Sequence, residues 1–323
     1  MKTTLLTLIL CFFSTQTLAS DSAEPLSLKA YESLMTSISN WGRWGKHDQL
    51  GTLNLITPER RVAAAALVKT GEAVSLSLEL NKEVSATNAN PFKHTLVTDS
   101  FGGHDIAGDQ YSVEYHGFAH SHMDGLPHYS RNGKLYNGVD ASALKPDGAR
   151  QLGIENAGRA GVVTRGVLVD MPAFFGVEFL TPGTAITASD LEAWEKKHGV
   201  TIGSGDVLLL RTGRWMPQPA PRSAQPKIAG LHATVAQWLR DRDVAAIGSD
   251  AISDVMPSGM KTLATPLHEL VLVGLGMPIF DNLDLDELAT VSAREKRSTF
   301  LFTAAPLRVA GGTGSPLNPI AVF

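Results

Sequence analysis

The stretch Tyr115-His-Gly-Phe-Ala-His-Ser-His-Met-Asp-Gly-Leu-Pro-His128 restricts what this chain can become more than any other part of it. Four histidines and one aspartate fall within it. Successive side chains of an extended strand point to opposite faces, so His120, His122 and Asp124, at alternate positions, would share one face. His116 has the same parity. Imidazole and carboxylate together suit zinc, manganese or iron better than calcium. Taken alone, the stretch is either a polar surface loop or the larger part of a metal site. In the second case a further ligand has to come from elsewhere, and His268, Asp281 and Asp250 are the best placed.

The leading residues read as separate from the fold. Lys2 supplies a basic start, an apolar run follows from Leu5, and Thr17 and Ala19 are small residues where a signal peptidase cuts. Residues 1–20 are therefore expected to be a cleaved secretory signal, with the remainder, 21–323, one domain in the periplasm or outside the cell. Cys11 is the sole cysteine and lies in that leader. The mature chain then has no disulfide, no thiolate ligand and no cysteine nucleophile, so any metal must be held by His, Asp, Glu or Gln. The formal net charge is −4, without a basic run or arginine cluster that would suit nucleic acid. No second long apolar segment suggests a membrane.

Local patterns sketch the rest. A helix is expected around 26–38, then an irregular loop over 40–54 carrying Trp41 and Trp44. A helix over 57–71 has Thr57 as its cap, Pro58 in its first turn and Gly71 as its stop. Alternation predicts a strand over 74–80, a polar loop over 81–108 and a strand over 111–116. A buried strand is expected over 161–170. Ser189 and Glu192 suggest a capping box for a helix ending at His198. The nearly all-apolar run 206–211 reads as a central strand. A proline-rich loop over 216–226 precedes a helix over 231–242 and a strand over 244–248, which places Ser249 and Asp250 at a strand end. The last expected elements are a helix over 266–275, extended runs at 278–280 and 300–304, and a glycine- and proline-rich close. Strands and helices alternate only in part, which favours a mixed α/β sheet over a wholly parallel one.

Several chemistries lack their motifs. There is no Gly-x-Ser-x-Gly elbow, no Gly-x-Gly-x-x-Gly after a strand and no Walker loop. The run Gly311-Gly-Thr-Gly314 leads into Ser-Pro and reads as a turn. Hydrolysis by metal-activated water is the economical remainder, with His128 placed to move the proton. Trp41, Trp44 and Phe118 are candidates for the apolar wall of a substrate pocket.

The spacing His122-x-Asp124-x-x-x-His128 resembles the His-x-Asp-x-Pro-x-His motif of the cyclase family, which includes bacterial kynurenine formamidase and isatin hydrolase. Further matches run along most of the chain: Trp44-Gly45 with Asp48-x-x-Gly-Thr-Leu-Asn54, Gly133-Lys-Leu-Tyr-Asn-Gly138, Arg165-Gly-Val-Leu-Val-Asp170, Gly205-Asp-Val-Leu-Leu-Leu-Arg-Thr-Gly213, Gly248-Ser-Asp250, and His268 with Asp281-Asn-Leu283. The resemblance implies a swivelling β/β/α fold in a single domain and a homodimer or higher oligomer. It also implies a metal-dependent hydrolase of amide, cyclic amide or lactone bonds in a small-molecule substrate. It makes His122 and Asp124 metal ligands, His128 the proton shuttle, and His268 and Asp281 the later members of the site. The chain departs from the family at Phe118, where a further ligand histidine is usual; His116 and His120 flank it, and either is open as the replacement. Asp281 stands for a glutamate and is one carbon shorter, so the expectation is one firmly held zinc or manganese ion, with a second left open. A non-catalytic metal- or ligand-binding protein and a cyclase running the reverse reaction are the alternative readings.

Overall fold

A computed structural model describes residues 24–216 and 227–323. The expected leader at 1–20 and nearly all of the proline-rich loop lie outside the described residues.

Helix α1 (Leu28–Ser37) is capped by the Ser27 hydroxyl, and α2 (Pro58–Ala65) by Thr57. The strands before the long central ones are β1 (Ala73–Ser75), β2 (Lys93–Phe101), β3 (His104–Ser112), β4 (His122–Asp124), β5 (Leu144–Lys145) and β6 (Gly148–Ala149). Then come β7 (Val162–Asp170), α3 (Met171–Phe175), β8 (Ala185–Ile186), α4 (Ala188–His198), β9 (Val207–Arg211), β10 (Gly230–Leu231), α5 (Val235–Arg242) and β11 (Ala246–Ser249). The chain closes with α6 (Pro266–Glu269), β12 (Ile279–Asp281), α7 (Asp286–Glu295), β13 (Thr299–Ala304), β14 (Gly314–Pro316) and β15 (Ile320–Val322).

Nine strands form one mixed sheet in the order β1-β15-β13-β7-β9-β11-β12-β4-β14. Its centre, β7, β9, β11 and β12, is parallel, while the strands on either side run antiparallel to their neighbours. This is the mixed α/β domain that the sequence predicts. All five residues of β9 are buried because apolar layers cover both faces. Leu208 and Leu210 enter one layer with Trp194, Trp238 and Leu272, whereas Val207 and Leu209 enter the other with Leu288, Phe300 and Phe323. Burial on both faces removes the need for polar alternation, hence the uninterrupted apolar run.

Several local expectations are corrected. The loop expected over 81–108 contains most of a long hairpin, β2 paired with β3. Its two-residue turn is Gly102–Gly103, with φ of 61° and 83°, the left-handed pair that a tight hairpin requires. Both strands are exposed throughout, so neither face carries the apolar alternation by which a strand is recognised. α2 ends at Ala65 rather than at Gly71. The capping box of α4 is Thr187 with Asp190, since the hydroxyl and carboxylate of that pair close on each other's amides. The helix expected over 231–242 starts at Val235, because Gly230–Leu231 pairs with β8. The helix expected over 266–275 is one α-turn followed by a π-helical segment, Leu270–Leu275.

Candidate metal centre

β4 lies between β12 and β14 at one side of the sheet. The register places Asp281 directly across from His122, with Pro316 on the other side of it, and sets Asp124 across from Ile279 and Gly314. His122 and Asp124 are two residues apart on this strand and share a face, as the alternation requires. His116 comes from the turn before β4, with Nδ1 2.8 Å from Asp124 Oδ1. His122 Nε2 is 3.3 Å from the same oxygen. On the other oxygen, Oδ2, converge His268 Nε2 at 3.6 Å and His128 Nε2 at 3.8 Å. His268 Nε2 is also 3.2 Å from Asp281 Oδ2. Two ligand sets therefore share Asp124: His116, His122 and Asp124, and Asp124, His268 and Asp281.

The surroundings decide which nitrogens are free. His122 Nδ1 meets the carbonyl of His120 at 2.8 Å; a carbonyl only accepts, so Nδ1 carries a proton and Nε2 of the neutral ring offers a lone pair. His268 Nδ1 is held 2.5 Å from Asp254 Oδ2, which likewise turns its Nε2 lone pair towards Asp124 and Asp281. Lone pairs thus face carboxylate oxygens, an arrangement that requires a cation between them. Both oxygens of Asp124 are buried and, among the described residues, make no hydrogen bond of good geometry, although imidazole nitrogens crowd them. A buried carboxylate in that state is costly unless something positive completes it, so this donor set fits a divalent metal ion.

Without an ion, protons have to take that place. Burial opposes charging of His268, but Asp281, Asp124 and Asp254 overcome it and hold its pKa well above the ordinary value. His122 is raised against burial by Asp124 in the same way. Burial would raise Asp124, yet His122, His116 and His268 hold it well below the usual carboxylate range. His128 behaves oppositely: burial dominates and pushes it down to about 4. Its ring is stacked on His116 with centroids 3.8 Å apart and planes 5° from parallel. His128 is therefore a neutral base beside the cluster.

The structure does not bring every predicted residue together. His120 is buried, but its ring nitrogens stand outside both ligand sets and, among the described residues, have no hydrogen-bond partner. The single extended face expected for His116, His120, His122 and Asp124 does not form, because only His122–Asp124 is strand and a turn precedes it. Phe118 packs, with Met256, against the buried cluster of Ile228, Ala251 and Ile252. Trp41 and Trp44 do not join it as a common wall. Trp41 donates from Nε1 to the Val273 carbonyl at 2.7 Å, and Trp44 lies under the Arg43 guanidinium. Asp250 is no ligand: its oxygens accept from the amides of Thr212, Gly213 and Arg214 and from the Thr212 hydroxyl. Sequence reading missed Asp254, whose partner His268 lies 14 residues further on, across a loop that gives no local signal of the pairing. It also missed Thr313, whose hydroxyl lies 3.0 Å from His116 Nε2 inside a run read only as a turn. Ser253 and Asn282 have left-handed backbones, with φ of 61° and 53°, next to Asp254 and Asp281. Such conformations cluster at functional sites, where surrounding contacts hold them in place.

Comparison with known proteins places this architecture. The model of the Cyclase family, described as "Putative cyclase", matches residues 74–254, more than half of the chain. The chain belongs to the Cyclase family. A solved structure described as a novel cyclase superposes with a TM-score of 0.81 at 33% identity, covering 90% of this chain and 99% of that one. Isatin hydrolase A from Ralstonia solanacearum shares the fold with a TM-score of 0.58 at 23% identity, over 83% of this chain and 98% of its own. Isatin hydrolase of Roseibium aggregatum is 27% identical over 149 residues, 44% of this chain; the match spans about half of that relative's length, 53%. The region matched by the Cyclase model includes His116 to His128 and reaches Asp254, but stops short of His268 and Asp281.

Proposed function

We propose that this Cyclase-family chain is a divalent-metal-dependent hydrolase that cleaves a carbon–nitrogen bond of an amide or cyclic amide, or a lactone bond, in a small molecule. The observation that carries the reading is the buried Asp124 carboxylate, ringed by the nitrogens of His116, His122, His128 and His268 and making no hydrogen bond of good geometry among the described residues. Family membership and the similarity to proteins named isatin hydrolase support it.

His116, His122 and Asp124 would hold the ion, with His268 and Asp281 completing the site or holding a second ion through the shared Asp124. A bound divalent ion supplies Lewis-acid polarisation and acidifies water to near neutrality. The protein's own residues do the rest. His120 fixes the ring of His122 through its carbonyl, and Asp254 fixes that of His268. His128 is neutral above about 4, and its Nε2 is directed at the cluster. It accepts the proton of the attacking water at Nε2 and returns it to the leaving nitrogen or oxygen as the bond breaks. Stacking on His116 holds its plane fixed during that transfer.

The test is elemental analysis of the purified protein beside a panel of formamides, isatins and lactones, before and after chelation. Turnover that is lost on chelation and restored by zinc or manganese is expected. Metal binding without turnover on any panel member would instead favour a non-catalytic binding protein.

A further inference from the structure

We infer that Thr313, in the run Gly311–Gly314, is the positioning residue that makes His116 a metal ligand: its hydroxyl selects which edge of the ring faces Asp124. The inference rests on the reading of the cluster as a metal centre and extends that centre to a segment whose sequence marks only a turn.

His116 needs such support. It lies in the turn before β4, where neither strand pairing nor alternation orients its ring. Stacking on His128, with centroids 3.8 Å apart and planes 5° from parallel, fixes the plane of the ring but not its edge. A half-turn about the Cβ–Cγ bond keeps the plane and exchanges each ring nitrogen with a carbon. Cδ2 would then face Asp124, and no lone pair of His116 would reach the cluster. In the orientation present, Nδ1 is 2.8 Å from Asp124 Oδ1 and Nε2 is 3.0 Å from Thr313 Oγ1. The hydroxyl is therefore the group that tells the two edges apart.

The same contact sets the proton. A threonine hydroxyl either accepts from Nε2–H, which leaves the lone pair on Nδ1, or donates to Nε2, which puts the proton on Nδ1. Nδ1 is buried and, among the described residues, makes no hydrogen bond of good geometry despite its short distance to Asp124. A proton there would be a buried donor without a well-placed acceptor, which is costly. A lone pair there is what an ion between His116 and Asp124 requires. Thr313 thus does for His116 what Asp254 does for His268.

The run around Thr313 holds that hydroxyl still. The Gly311 amide donates to Glu155 Oε2 at 3.0 Å, and the Gly311 and Gly312 carbonyls accept from the amides of Ala149 at 2.8 Å and Ile154 at 2.9 Å. The Thr313 carbonyl accepts from the Gly125 amide at 2.8 Å. Its backbone therefore clamps the peptide after Asp124 while its side chain holds the ring of His116. Gly314 leaves room for that ring, since a Cβ there would stand 2.9 Å from His116 Cε1. Phe118 occupies the place where the family resemblance expects a ligand histidine. Here the ligand comes from position 116, and Thr313 is the support at that position.

The experiment uses the full chain with zinc as the probe. Competition with a chromophoric chelator gives the affinity. Long-range proton–nitrogen NMR of the zinc-loaded, imidazole-labelled protein gives the tautomer, with His116→Ala assigning the signals. The wild type is expected to bind zinc with His116 protonated at Nε2. Thr313→Val, of nearly the same shape, should bind about tenfold more weakly. Thr313→Ser keeps the hydroxyl and should bind nearly as tightly as the wild type, a rescue that mere filling of space would not produce. Equal affinity in Thr313→Val, no recovery in Thr313→Ser, or a proton on Nδ1 of His116 in the wild type overturns the inference. A wild type that binds no zinc overturns it together with the metal centre. Zinc held as expected without turnover of any panel substrate removes the hydrolase reading and leaves Thr313 in its role.

Discussion

Asp254 and His268 are joined by a 2.5 Å contact between Oδ2 and Nδ1, and the same carboxylate accepts the amides of Leu267 at 2.8 Å and His268 at 3.2 Å. One buried side chain therefore caps α6 and sets which nitrogen of His268 faces Asp124 and Asp281. α6 has no side-chain cap of its own from Thr265, so Asp254 supplies that function from outside the helix. Tyr31, which donates to Glu269 Oε2 at 2.8 Å, ties α1 to the same turn.

Asp254→Ala should lower zinc affinity by about 10- to 100-fold, the usual effect of losing a carboxylate behind a metal-binding histidine. Asp254→Asn keeps one acceptor for Nδ1–H and should lose less. Competition with a chromophoric chelator measures both, and unchanged affinity in the alanine variant would remove Asp254 from the site.

His128→Ala should retain its metal and lose about 10²- to 10⁴-fold in kcat, the range of a proton-transfer group. Steady-state kinetics beside elemental analysis separates this from loss of the ion. Full turnover in the variant would show that another group moves the proton.

His128 also gives the metal-free protein a pH dependence of definite sign. Burial depresses its pKa from about 6.5 unfolded to about 4 folded. The unfolded chain therefore binds the proton more tightly, and stability rises with pH across that window. The contribution is present above the unfolded value and is lost as pH falls through the folded one. Against the non-titrating His128→Asn, the wild type should lose relative Tm as pH falls from about 6.5 to about 4. A constant difference would show that the ring is not held neutral.

Asp250 should behave as a structural residue. Asp250→Asn sets a donor-bearing amide among the backbone donors of Thr212, Gly213 and Arg214, which ties the end of β9 to the end of β11. About 1–3 kcal/mol of stability should be lost, as for a buried donor left without its acceptor. Urea denaturation measures it, and metal affinity at temperatures below unfolding should be unchanged.

Gly314→Ala should disturb the cluster without replacing a ligand. A Cβ at Gly314 would collide with the Met123 carbonyl and stand 2.9 Å from His116 Cε1. Relief has to come from the backbone of β4 or the ring of His116, so both stability and zinc affinity should fall, the first by about 1–3 kcal/mol. Thermal denaturation and chelator competition report the two effects separately.

Much of the sheet was legible because its signals are local. The apolar run of β9 and the pattern of β7 record burial that any neighbour would impose, and Thr57 with Pro58 marks a helix start by its own chemistry. The β2–β3 hairpin was not legible in this way: every residue of both strands is exposed, so no burial pattern is written into it. Only its two central glycines signalled the turn.

The sequence by itself determined that His122 and Asp124 share a face, since side-chain alternation is a property of any strand. It also offered His128 as a proton-moving base and His268, Asp281 and Asp250 as further ligand candidates, of which the family resemblance favoured His268 and Asp281. The tertiary structure decided the convergence. The pairing of β12 with β4 brings Asp281 opposite His122, and Asp254 turns His268 inward from a separate loop. It also divided His116 from His120, which matching parity could not do. The chain turns before β4 begins, so the ring of His116 swings to Asp124 while that of His120 stays buried outside both ligand sets. Register and turns depend on partners distant in the chain, whereas alternation needs only the residue's own backbone.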